Sequence, residues 1–153
     1  VARVAALAVT LVDWRVAGAA YARAMVETAQ RLAEELAGLG LPVFAQERGA
    51  TASHQFAVVA HRWQGGQRAS RRLRQANLLA CGIGLPVEPV ADDTNGLRLG
   101  TPEVVRIGMT PDDMPELARF IARGLDPETD PATVAADVTA WRARFSGVAF
   151  TAG

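Results

Sequence analysis

Arg98 stands between two leucines and, one step further out, two glycines: Gly96-Leu97-Arg98-Leu99-Gly100, followed by Thr101-Pro102. A guanidinium is a planar fork of N–H donors. It grips a carboxylate through two parallel hydrogen bonds and keeps its charge when partly desolvated. Strand alternation puts Leu97 and Leu99 on one face and Arg98 on the other. The glycines on either side let a backbone or ligand approach closely. These residues alone leave two uses open: a clamp for a ligand's carboxylate, or a structural arginine paired with a surface acid.

A second chemical fact is an absence. All sixteen basic residues are arginine, so the chain has no lysine and cannot form a Schiff base with a carbonyl cofactor. It also shows no Gly-rich phosphate loop at a strand–helix junction. No residue is therefore assigned a catalytic or cofactor-binding role. Arg106 reads as a structural salt bridge, His54 as a structural histidine at a strand start, and His61 as surface. Thr101 shapes the turn after its strand, and Cys81 reads as a small buried apolar residue rather than a nucleophile. One cysteine and two histidines do not make a zinc site, and no metal site is expected. A lone cysteine excludes an internal disulfide and fits a reducing cytoplasm.

These residues need elements to position them. A chain of 153 residues fits one domain with enough sequence for a real core. Arg3 to Trp14 is apolar almost all round and expects burial on several sides. Left exposed, Ala5, Leu7, Val9 and Leu11 would invite association. Tyr21, Met25, Thr28, Leu32, Leu36 and Leu39 then recur at helical spacing, predicting a helix over about 18–38 that Gly38, Gly40 and Pro42 end. Strands are expected at 42–45, 55–60 and 96–100, with a further strand or extended segment in 78–85 and a loop over 86–95. Helices are expected over about 66–78, from Thr110-Pro111-Asp112-Asp113, and from Asp130-Pro131. That order is a small α/β domain, a sheet covered by helices on one side.

Net charge is zero, so no global field favours nucleic acid or an anionic membrane. Arg68, Arg71, Arg72 and Arg74 read as a solvated helix face, since no aromatic residues interleave them as stacking platforms. No stretch approaches eighteen uninterrupted apolar residues, which speaks against a membrane-spanning helix. The apolar start lacks the layout of a signal peptide.

The segment Gly96-Leu97-Arg98-Leu99-Gly100-Thr101-Pro102 resembles a motif near the C-terminus of serine hydroxymethyltransferases. Other pieces follow that family's order: Ala5-Ala6-Leu7-Ala8-Val9, Ser53-His54-Gln55, Ala76-Asn77, Arg106-Ile107-Gly108-Met109 and Phe120-Ile121-Ala122-Arg123-Gly124-Leu125. The resemblance covers about residues 3–125. It implies the small C-terminal domain of an aspartate-aminotransferase-like, fold-type-I enzyme, with a short, mainly antiparallel sheet. Residues 1–38 would be the end of the large domain and a connecting helix, and 39–153 the C-terminal small domain.

The resemblance further implies pyridoxal 5'-phosphate, bound mainly by a part not in this chain, and a serine, glycine or threonine type of amino-acid substrate whose α-carboxylate Arg98 binds. Its implied partners are an upstream large domain or second subunit, in a homodimer of the complete enzyme. Where many members offer polar side chains near the folate pocket, this chain has Cys81-Gly82-Ile83. Unpaired pterin groups there would cost about 1–3 kcal/mol each. The resemblance implies first the substrate-carboxylate-binding part of an enzyme of serine/glycine one-carbon transfer. The departure counts against tetrahydrofolate and sets beside that reading a folate-independent aldolase or transaldolase of threonine type, or a branch that uses folate differently. Without a lysine the chain is not expected to be active alone. Two further readings compete: a non-catalytic stand-alone domain that pairs with a partner, and a generic α/β binding module.

Overall fold

A computed structural model describes residues 2–152. The apolar start and the amphipathic stretch after it form one helix, α1, Ala2–Gly38, about 55 Å long at 1.5 Å per residue. It joins the apolar helix expected at 3–12 to the one expected over about 18–38, because the Ala-rich connecting stretch has high helix propensity and Gly18 does not interrupt it. The Trp14 ring lies over Gly18, where a Cβ would come within 2.7 Å of Trp14 Cε3. The two halves of α1 differ sharply. Ala29, Leu32, Ala33 and Leu36 are buried in the main core, whereas Val4, Leu7, Val9, Leu11 and Val16 are each more than half exposed. By length and composition alone α1 could cross a membrane. Its charged pair at Asp13, described below, ties it instead to the rest of the domain.

Three strands make one antiparallel sheet: β1 (Gln55–Val59), β2 (Cys81–Ile83) and β3 (Gly96–Gly100), in the order β1-β3-β2. Phe56 pairs with Leu99 and Val58 with Leu97, and all four are buried against the helices. The expected strand at 42–45 is reduced to a single bridge, Val43 to Val58. Pro42 cannot donate and can only accept, taking the Val59 N–H at 2.8 Å.

Helix α2 (Gly66–Gln75) covers one end of the sheet. Asp93 caps it, accepting from Gln67 N at 2.9 Å and Arg68 N at 3.0 Å. Helix α4 (Met114–Leu125) buries Met114, Leu117, Ala118, Ile121 and Leu125 against α1 and the sheet. Its start carries the expected capping device, with Thr110 and Asp113 bonding reciprocally before Met114. Helix α5 (Pro131–Arg142) packs Val134, Val138 and Trp141 on Phe120 and Ala76.

A short helix, α3 (Pro102–Arg106), follows β3 directly. It was not anticipated, because five residues carry no readable period. Thr101 makes the join. It is fully buried, its Oγ1 donates to Met25 O at 2.7 Å with His54 O at 3.2 Å, and its N–H donates to His54 O at 3.0 Å. One side chain therefore fixes the end of β3 against both α1 and β1. Thr101→Val keeps the shape but removes the hydroxyl's bond to Met25 O, and is expected to lower unfolding free energy by about 0.5–1.5 kcal/mol in urea titration, with an unchanged m value.

Candidate substrate-binding face

The register fixes what surrounds Arg98. It lies opposite Ala57 on β1 and opposite Cys81 on β2, and residues directly opposite share a face. The face away from the helices therefore carries Gln55, Ala57, Val59, Cys81, Ile83 and Arg98, with Gly96 and Gly100 two residues to either side on β3. Leu97 and Leu99 point the other way and are buried, while Arg98 is exposed. The Leu-Arg-Leu alternation behaves as read.

The floor beside Arg98 is small. Ala57 and Cys81 flank it, and at Gly100 an added Cβ would meet nothing nearer than His54 O at 3.6 Å. Gly96 is covered, since an added Cβ there would meet Leu85 Cδ1 at 2.6 Å. Among the described residues no acid makes a salt bridge with Arg98. A charged fork on an open, small-residue floor can receive an oxyanion without first giving up a partner. Two well-formed cavities of the chain are lined by other residues, and Arg98 lies exposed on its sheet face.

The other singled-out residues fall elsewhere. His54 is exposed, its carbonyl holding Thr101. His61 is on the surface, with Nε2–H donating to Glu88 O at 2.7 Å. Cys81 is half-buried on the Arg98 face rather than in the core.

Arg106 is structural, and its partner is one that sequence reasoning passed over. Asp13, the acid within the apolar half of α1, meets Arg106 Nη2 at 2.6 Å. The other oxygen of Asp13 accepts from Ala152 N at 2.9 Å, and Arg106 Nη1 donates to Phe150 O at 2.7 Å. Phe150 stacks on Tyr21, centroids 5.2 Å apart, and Tyr21 donates to Pro102 O at 2.7 Å. This network binds the end of the chain to α1 and α3. A lone acid in an otherwise apolar stretch was the signal available for it.

The Ala152 N–H and the Arg106 guanidinium hold the Asp13 carboxyl below its ordinary 3.8, against the opposing effect of desolvation. A depressed carboxyl stabilises the fold above its unfolded pKa and loses that contribution as pH falls through the folded value. Stability is expected to be flat near neutrality and to fall once pH drops below about 4. Asp13→Asn should flatten part of that acid limb in pH-dependent denaturant titration.

Comparison with known proteins decides which family this face belongs to. The family model described as serine hydroxymethyltransferase matches residues 2–121. The chain belongs to the serine hydroxymethyltransferase family. It corresponds to the family's C-terminal part.

It is 60% identical over 148 residues to an alpha-methylserine aldolase of Variovorax paradoxus, covering 97% of this chain and 33% of that protein. It is 44% identical over 140 residues to a serine hydroxymethyltransferase of Pyrobaculum arsenaticum, covering 92% of this chain and 32% of that protein. Among solved structures, L-threonine transaldolase from Pseudomonas fluorescens superposes with a TM-score of 0.81 at 28% identity, covering 94% of this chain and 32% of that one. The chain thus spans about a third of the length of the relatives it matches. The fold expected from the resemblance, the small α/β part of a fold-type-I enzyme with a short antiparallel sheet, is the one found.

Membership of this hydroxymethyltransferase family implies pyridoxal phosphate in the complete enzyme. The residues of this chain do not fit its anchoring, because not one of the 153 is a lysine.

Proposed function

We propose that Arg98 binds the α-carboxylate of an amino-acid substrate, and that the complete enzyme is a folate-independent aldolase acting on β-hydroxy amino acids of the α-methylserine type. The observation that carries this reading is the unpaired Arg98 guanidinium on its small-residue face, in a chain nearer in sequence to aldolases (60%) than to hydroxymethyltransferases (44%). Holding the carboxylate fixes how the remaining bonds at Cα are aimed, which is where such an enzyme gains its selectivity. An aldolase acting on α-methylserine breaks the Cα–Cβ bond, releasing formaldehyde and leaving alanine.

The edge strand supports the folate-independent branch over serine/glycine one-carbon transfer. Cys81-Gly82-Ile83 offers a pterin no amide, carboxylate or hydroxyl side chain. Gly82 cannot easily be replaced by a polar residue, since an added Cβ would lie 2.3 Å from Thr94 Oγ1 and 2.9 Å from Gln67 Cδ.

On the same reading, residues 1–38 belong to the end of a large domain and its connecting helix, and 39–153 form the small domain. The exposed apolar residues of α1, from Val4 to Val16, face the remainder of a homodimeric enzyme, which also supplies the cofactor's lysine. Burying that row removes water from apolar surface at about 25 cal/mol per Å².

A chimera tests the proposal: the Variovorax paradoxus aldolase with its corresponding third replaced by this chain. It is expected to cleave α-methylserine, releasing formaldehyde, at a rate that added tetrahydrofolate does not raise. A folded chimera without cleavage would favour a non-catalytic pairing domain. Activity that depends on tetrahydrofolate would return the chain to one-carbon transfer.

A further inference from the structure

Away from the Arg98 face, α2, the end of α1 and the end of α4 enclose an open cavity of about 630 Å³. Its floor is apolar, with Leu39, Leu41, Ala69 and Leu125 beside the Trp63 indole, and three guanidiniums, Arg62, Arg68 and Arg72, line its rim. The helical spacing of Arg68 and Arg72 puts both on the groove side of α2.

Arg72 has the Asp126 carboxylate near enough to interact with it electrostatically, which leaves Arg62 and Arg68 as the cations open to a ligand. Among the described residues none of the three makes a salt bridge. Arg62 donates to Gly40 O at 2.9 Å, Arg68 to the Gln64 amide oxygen at 2.5 Å, and Arg72 to the main-chain oxygens of Asp126 and Thr129. Arg72 Nε is buried without a partner. The acid in the lining, Asp126, spends its oxygens on its own turn, accepting from Glu128 N at 3.1 Å and Thr129 Oγ1 at 2.8 Å. Each guanidinium has five N–H donors, so most remain free. The arginine run on α2, which the sequence presents as a solvated face, is split by the fold, with Arg71 and Arg74 outside the groove and Arg68 and Arg72 lining it.

We infer that this groove is a binding site for a small organic oxyanion, a phosphate monoester or carboxylate on a flat apolar body. The oxyanion accepts from Arg62 and Arg68, and the body lies on Trp63 and Leu39, the lining residues that offer apolar surface. Apolar floor and cationic rim together select for both parts of such a ligand. The site is independent of the proposed amino-acid chemistry.

The test is an NMR titration of the 153-residue chain, following the Trp63 indole N–H, which donates to Leu125 O at 2.8 Å. Phenyl phosphate, benzoate, inorganic phosphate and benzyl alcohol are the probes. A saturable shift is expected with phenyl phosphate, benzoate or both, and whichever binds more tightly identifies the head group. Inorganic phosphate should bind more weakly, and benzyl alcohol should not saturate. Arg62→Ala and Arg68→Ala should each weaken binding about five- to tenfold, and added salt should weaken it further. Arg74→Ala, on the other side of α2, should leave it unchanged. Circular dichroism confirms that each variant folds. No saturable shift with either organic anion, equal response to benzyl alcohol, or equal weakening by Arg74→Ala would each overturn the site.

Discussion

Replacing Arg98 by alanine in the aldolase chimera is expected to lower kcat/KM for α-methylserine about a hundredfold. Removing one partner of a charge-assisted, partly desolvated pair costs about 2–5 kcal/mol, and each 1.4 kcal/mol is tenfold. On the proposed role, in which the arginine would both hold and aim the substrate, the loss should appear in both kcat and KM. Arg98→Lys is expected to recover little, since an ammonium supplies the charge without the planar fork. The folded domain should be indifferent. Arg98 is exposed and makes no salt bridge among the described residues, so urea titration should show a change within about 0.5 kcal/mol. Steady-state kinetics with the urea titration separates a recognition role from a structural one.

The largest stability effect is expected at Gly66, the first residue of α2. A Cβ there would stand 1.8 Å from Gly96 O, 2.7 Å from Gly96 C and 2.9 Å from Thr94 Oγ1. The obstacle is mostly backbone, so no rotamer change relieves it. Gly66 N also donates to Thr94 O at 2.7 Å, and the next two amides are capped by Asp93. Gly66→Ala must push α2 away from β3, losing that contact and part of the cap. We expect a cost of about 3 kcal/mol or more, about 10 °C in melting temperature for a domain of this size. Gly84→Ala is the control, because nothing lies within 4 Å of its added Cβ and a near-zero effect is expected. A Gly66→Ala variant as stable as the Gly84→Ala one would show that α2 and β3 are not so tightly joined. Because β3 also carries Arg98, Gly66→Ala in the chimera should raise KM as well.

Much of this arrangement was legible in the sequence, and its legibility follows the physics. Periodic elements announced themselves. The continuous apolar run Gln55 to Ala60 reads as a buried strand, Met114, Leu117, Ile121 and Leu125 recur at helical spacing, and Thr110 to Asp113 carries its own start signal. The side of the sheet that Arg98 takes was legible because Leu97 and Leu99 alternate with it and are buried. What escaped notice depends on partners distant in sequence. Asp13 meets Arg106 and Ala152 across the chain. The Asn95 amide binds Leu85, Val87 and Glu88 carbonyls to shape the loop ahead of β3. The division of the α2 arginines appears only once Leu39, Trp63 and Asp126 are brought beside them. The start of α1 is helical as read, but it runs unbroken into the second half, and its apolar residues are exposed where the sequence led us to expect burial on several sides.

The most direct measurement asks whether Arg98 reads a carboxylate at all. Alanine and 2-aminopropan-1-ol share an amine and a methyl group, and differ in having a carboxylate or a hydroxymethyl group. Their inhibition constants against α-methylserine cleavage, in the chimera and its Arg98→Ala variant, form a closed cycle. Alanine is expected to lose about a hundredfold on substitution while the amino alcohol changes little. Equal loss for both, or no loss for alanine, would contradict the assignment of Arg98 as the carboxylate clamp.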